Sequence, residues 1–294
     1  MKRLFAAALA LAACLTLPLS ASFAEDADAG EERVAMGADL TETQRQAVYA
    51  DFGIEEGSVT ELSVTNAEER VYLEGLVPDG KIGSVALSCI YIKTLEEGSG
   101  LSIELHNINY CTEGMYENAL TTAGISDATV IVSAPFPVSG TGALTGAYKA
   151  YEDITGTSLS DLAKAVGAEE LVVTGELAEY IGSEDATEMI EELKDMLDLT
   201  VDMTDAEVRE EIENLADMYG VSLTEAQVKQ VLKLVRSLEG LDSDELQQKL
   251  VGLAKAAQTV DKAGETVSAV VESVQGFFSS VGTFFSNVFG GGSD

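Results

Sequence analysis

Hydrophobic periodicity changes character partway along this chain, and that change restricts it to folds that join strands to helices. Up to about residue 157, short alternating segments are interleaved with helical ones; from Leu159 the strand signal fades and amphipathic stripes take over. Ser84 to Thr94 alternates, with Val85, Leu87, Cys89 and Tyr91 on one face and Ala86, Ser88, Ile90 and Ile92 on the other, so both faces should be at least partly covered. Glu96 to Gly100 reads as a turn. Beyond it, Leu101, Ile103 and Leu105 alternate with Ser102, Glu104 and His106, which predicts an antiparallel hairpin with a half-buried second strand. Ser58 to Val64 and Ala128 to Ser133 read as further strands. Thr41 with Gln44, and Thr65 with Glu68, are capping boxes that open helices, the second closed by Gly75 and Pro78; another helix runs from Thr112 to Ala123. This order predicts an α+β fold: an N-terminal mixed α/β domain over 36–157, then an α-helical C-terminal region.

In the helical region, 158–264, three stripes have packing periodicity. Met189, Ile190, Leu193, Met196 and Leu197 form one, Val208, Ile212, Leu215 and Tyr219 a second, and Val228, Val231, Leu232, Val235 and Leu238 a third. Thr204 with Glu207 and Thr224 with Gln227 supply two more capping boxes, and Gly220 separates two helices. The change in character places a domain boundary between 157 and 183. The last segment, 265–294, reads as an apolar amphipathic helix and tail. Val267, Val274, Val281 and Val288 recur every seven residues, with Phe277, Phe278, Phe284 and Phe285 between them as a candidate partner face. Ser, Gly, Thr and Asn interrupt it too often for a membrane span. Internal docking, self-association and a partner helix are the readings left open. Membrane contact is disfavoured, because the polar face lacks the Lys and Arg of interfacial helices.

The first 24 residues have the three parts of an export signal: Lys2 and Arg3, an apolar run from Leu4 to Leu17, and small residues at Ser22 and Ala24. Cleavage after Ala24 would leave Glu25 at the mature N-terminus, followed by an acidic, aperiodic spacer over 25–35, with order beginning near Met36. A lipoprotein box at Leu11-Ala12-Ala13-Cys14 is the competing reading. Against it, the apolar run before Cys14 is short and the chain beyond is still apolar. The protein is therefore expected to be secreted or associated with the cell envelope.

Removing a leader with two positive charges and no acids takes the formal charge from −34 to −36. Such a surface repels polyanions, so nucleic-acid binding is not expected. Cationic partners are its natural complement, although solubility alone accounts for the charge. Only Cys89 and Cys111 would survive cleavage. Pairing Leu95 with Leu101 sets Cys89 opposite Asn107 and leaves Cys111 roughly 13 Å away along the strand, so two separate thiols are expected.

The densest candidate segment is Val130 to Glu152, a strand, a Pro-containing bend and a glycine-rich entry to a helix. Ser139, Gly140, Thr141 and Gly142 form a candidate ligand loop, since a helix start offers free N–H groups and a positive dipole end. The spacing Gly140, Gly142, Gly146 is neither a dinucleotide fingerprint nor a phosphate loop, and no cofactor is indicated. The competing structural reading makes Ser139 an N-cap and the glycines packing contacts. His106 lacks a third group to orient a dyad with Cys89, and there is neither a Ser-x-x-Lys nor a Gly-x-Ser-x-Gly. One histidine and separated cysteines make no familiar metal cluster.

Val130 to Glu152, with Val64 to Arg70 and Met115 to Leu120 upstream, resembles the YpuA-like family of exported bacterial proteins, a domain of unknown function (1002). The resemblance covers most of the mature chain, is strongest from Met36 to Gly156, and continues weakly through Tyr219 to Thr224. It implies architecture and export, and carries no catalytic residues with it. The leading expectation is a non-enzymatic, secreted or envelope-associated interaction protein. A small-ligand or anion binding module using the Ser139 to Gly142 helix start is the alternative, and an unrecognised hydrolase the third.

Overall fold

The computed structural model describes residues 29–77 and 82–242. Its first part runs β1 (Glu32–Gly37), α1 (Glu42–Phe52), β2 (Thr60–Val64), α2 (Asn66–Leu73), β3 (Cys89–Thr94), β4 (Leu101–Ile108), α3 (Glu113–Ala123), β5 (Ala128–Val138) and α4 (Ala143–Thr155). The rest is helical: α5 (Asp161–Ile181), α6 (Ser183–Asp195), α7 (Leu197–Thr200), α8 (Asp205–Met218) and α9 (Glu225–Glu239), ending in a 3₁₀ turn over Gly240–Asp242. The fold is α+β, as the periodicity predicts.

The five strands form one sheet in the order β2-β1-β3-β5-β4. This overturns the predicted hairpin: β3 and β4 do not pair, because β5 lies between them, antiparallel to β3 and parallel to β4. Burial explains the order. Val130 and Val132 of β5 are fully buried and suit a central strand, whereas β4 alternates between half-buried and exposed positions, as an edge strand can. β4, α3 and β5 thus make a parallel crossover unit, and β1, α1 and β2 another, joined through β3, which runs antiparallel to both of its neighbours. β1 also begins at Glu32, inside the stretch expected to be a spacer. Its core residues, Val34, Ala35 and Met36, are buried in succession because both faces are covered, so alternation does not reveal it.

One face of the sheet carries Ala35, Val64, Ile90, Ile92, Val130 and Val132, packed against α3 and α4. The other carries Val34, Met36, Cys89 and Tyr91, packed against Val48, Tyr49 and Phe52 of α1. Both faces of β3 are covered, as its two apolar sets require. Capping follows the sequence closely: Thr41, Thr65, Thr204 and Thr224 each close a capping box, with Gln44, Glu68, Glu207 and Gln227 respectively.

Helix α5 belongs to both halves of the fold. Ala168 and Leu171 pack into the sheet's core, while Leu162, Val166, Val173 and Leu177 join a second core that contains the buried residues of all three predicted stripes. Its polar residues are also committed. Glu170, fully buried, accepts from Lys194 Nζ on α6 at 2.9 Å and from Thr122 Oγ1 on α3; Glu169 accepts from Lys233 Nζ at 2.6 Å and Ser237 Oγ at 2.9 Å on α9. Gly167 lets α3 approach, since a Cβ there would lie 2.5 Å from the Ala119 carbonyl oxygen. Gly220, at φ +74°, makes the turn between α8 and α9. Among the described residues no helix is long and apolar enough to cross a membrane.

Candidate functional site

The site is built outward from α2. Its capping box fixes the helix start, with Thr65 N–H donating to Glu68 Oε2 at 2.8 Å, and turns Glu68 toward Lys149 Nζ at 2.6 Å. The next residue, Glu69, faces inward beside Leu73, one helical turn on, and is 4% exposed. Its Oε2 accepts from Asn66 Nδ2 at 3.1 Å; among the described residues no hydrogen bond reaches Oε1. Burial raises this carboxyl from the ordinary 4.5 to about 7. The Asn66 bond and the Arg70 charge oppose the rise, and the Asp39 and Glu68 charges add to it.

Glu69 lies in a cleft of about 400 Å³, a volume in the range that small-molecule sites occupy. Leu73, Val77, Ile82 and Val172 pack into a small apolar cluster that lines it, as do Val138, Ser139, Thr141 and Gly142. Glu176, Glu179 and Tyr110 complete the outline. Glu176 Oε2 already accepts from Gln230 Nε2 at 2.6 Å.

The β5–α4 turn is held firmly. Asn109 N–H donates to the Val138 carbonyl at 3.0 Å, Cys111 N–H to that of Ser139 at 3.1 Å, and Tyr116 Oη to that of Gly140 at 2.5 Å. Gly140 has φ +91° and no room for a Cβ, which would meet Ile108 Cγ2 at 2.6 Å. Of the predicted ligand loop, Ser139, Thr141 and Gly142 line the cleft; Gly140 shapes the turn behind them. The structural reading of this loop needs one correction. Gly142, not Ser139, occupies the cap position of α4, with no side-chain cap, and the Ser139 hydroxyl instead lies 3.3 Å from Thr141 Oγ1. The absent side chain at Gly142 makes room for the carboxyl, because a Cβ there would overlap Glu69 Oε1. Gly146 serves packing as expected, meeting Ala35 and Ile90 across the sheet.

Sequence reasoning missed Glu69. The available signal is its position four residues before Leu73, which puts a carboxylate on the apolar face of a short helix.

The remaining candidates do not assemble a reaction centre. Cys89 and Cys111 are free and buried, and burial pushes each thiol up to about 12, far from a reactive thiolate. The register sets both Cys89 and His106 opposite Ser133, so a whole strand separates the two. Ser133 Oγ donates to Asp51 Oδ2 at 2.6 Å, while His106 Nε2 is 2.9 Å from Glu104 Oε1. A nucleophilic triad would need the serine hydroxyl directed at the histidine. Among the described residues no group of three or more His, Cys, Asp and Glu side chains could hold a metal ion. Ala24, Glu25, Phe277, Phe278, Phe284 and Phe285 lie outside the described residues.

Sequence comparison defines the class to which this fold and cleft belong. The family described as "Protein of unknown function (DUF1002)" matches residues 36–255, and the chain is a member of it. A relative in Bacillus subtilis (strain 168), the "Uncharacterized protein YpuA", is 39% identical over 245 residues, covering 83% of this chain and 84% of its own. No solved structure matches.

Proposed function

We propose that this protein is an exported, non-enzymatic binding protein whose cleft between α2, the β5–α4 turn and α5 receives a small ligand. The observation that carries the reading is the buried Glu69, whose carboxyl Oε1 accepts no hydrogen bond among the described residues, in a cleft that also has an aliphatic wall of Leu73, Val77, Ile82 and Val172. Burying an ionisable group costs stability unless it is compensated. Here it is only partly compensated from within, so a ligand group can complete the arrangement. The leader-like N-terminus supports export, and the absence of a nucleophile–base pair among the described residues supports binding over turnover.

Chemical-shift mapping with a library of small amines, alcohols and carboxylates tests the site. Shifts should concentrate at Glu69, Ser139 to Gly142 and Val172, and a Val172→Trp variant that retains its fold should abolish them. Shifts that cluster elsewhere, or that persist in that variant, would refute the cleft as the binding site.

A further inference from the structure

The cleft pairs an aliphatic wall with carboxylates. Leu73, Val77, Ile82 and Val172 present side chains with no polar atoms, and Glu69, Glu176 and Glu179 are the charged residues that line it. No Lys or Arg is among the described lining residues. An anionic ligand would therefore enter against carboxylates, in surroundings where apolar walls weaken the screening of charge. A neutral ligand could use the wall but would add no positive charge to that of Arg70, which already bears on Glu69 and whose Nη2 donates to the carbonyl of the lining residue Gly83 at 2.8 Å. A cation attached to an aliphatic body satisfies both halves of the site.

Resting on the reading of the cleft as the binding site, we infer that its ligand is a small alkylammonium, seated with its N–H donors on Glu69 Oε1 and its carbon chain along the Leu73–Val172 wall. The geometry behind this is Glu69, a residue 4% exposed that lines the cleft, with one carboxyl oxygen held by Asn66 and the other accepting no hydrogen bond among the described residues. The room that the missing Cβ of Gly142 leaves is occupied by the carboxyl, which places it at the Ser139 to Gly142 side of the cleft. The proton balance is simple. A protonated Glu69 carboxyl that takes up an alkylammonium becomes a carboxylate–ammonium pair and releases one proton to solvent. Since burial lifts this carboxyl to about 7, binding at that pH should release about half a proton per site on average.

The test is calorimetric titration of the whole protein at pH 7 with n-hexylammonium, n-hexanol and n-hexanoate, repeated in two buffers of different ionisation enthalpy. Hexylammonium should bind at least tenfold more tightly than either of the others, with proton release. Glu69→Gln, which keeps the shape and the Asn66 contact, should weaken hexylammonium at least tenfold and leave hexanol unchanged. Hexanol or hexanoate binding as tightly as hexylammonium would overturn the ligand class while leaving the cleft as a site. Hexylammonium binding that Glu69→Gln leaves undiminished would also overturn it. If none of the three binds, or if all bind equally to Val172→Trp, both the ligand class and the cleft reading fail.

Discussion

Glu69 shows how a single buried residue can oppose folding above a certain pH. Its pKa is raised from 4.5 to about 7 by burial, so the folded protein holds this proton more tightly than the unfolded chain does. Below pH 4.5 both states are protonated and the residue costs nothing through ionisation. As pH rises toward 7 the unfolded chain gives up the proton first, and stability falls by roughly 3 kcal/mol. Glu69→Gln should remove that component, so that denaturation at pH 5 and pH 8 differs less in the variant than in the native protein. An unchanged difference would show that Glu69 ionises normally. Glu61 has the opposite sign: burial resists its charge, but bonds from Arg45 and Tyr49 outweigh that and lower its pKa, so its contribution is lost as pH falls. No composition count separates these two among 51 acidic residues. The Ser139 to Gly142 half of the site was legible because glycines and hydroxyls at a helix start form a local pattern. The Glu69 half depends on which chain segment closes over α2, a long-range fact.

At the scale of elements, what could be read in advance was whatever neighbours encode. Four Thr-initiated capping boxes and the three helical stripes are short-range codes, and all are present. Strand order is different, because β5 enters between β3 and β4 from beyond α3, and sequence proximity favours the hairpin that does not form. Helix α5 then fixes both cores. Gly167→Ala would drive a Cβ into the Ala119 carbonyl and within 2.9 Å of the Tyr148 hydroxyl, which should cost about 1–3 kcal/mol by displacing α3. Denaturant titration of that variant checks it; a loss below about 0.5 kcal/mol would mean that α3 and α5 are not so closely seated. Glu170→Ala leaves Lys194 with only the Thr122 hydroxyl and the Asn118 carbonyl as partners and should cost about 1–3 kcal/mol, with Glu170→Gln milder because it keeps the shape and part of the hydrogen bonding.

For the molecule as a whole, charge is the property read directly from the sequence. A formal charge of −34 favours solubility and cationic ligands and disfavours nucleic acid, in keeping with a cleft lined by carboxylates. Export itself is a prediction. Fractionation of cells expressing the full chain, with mass analysis of the recovered protein, should find it outside the cytoplasm and beginning at Glu25. A lipidated N-terminus at Cys14 would replace that form with an anchored one, and protein retained in the cytoplasm with Met1 intact would contradict export. A version ending at Gly264 separates the roles of leader and tail: if the Phe277 to Phe285 segment holds the protein at the envelope, the shortened chain is released. The claim on which the functional account rests is narrower than location and can be read at one atom. Carbon-13 NMR of the Glu69 Cδ across pH should give a midpoint near 7 in the free protein, moving down toward the ordinary carboxylate value when n-hexylammonium is added. A midpoint near 4.5 in the free protein, or one that n-hexylammonium does not move, would contradict it.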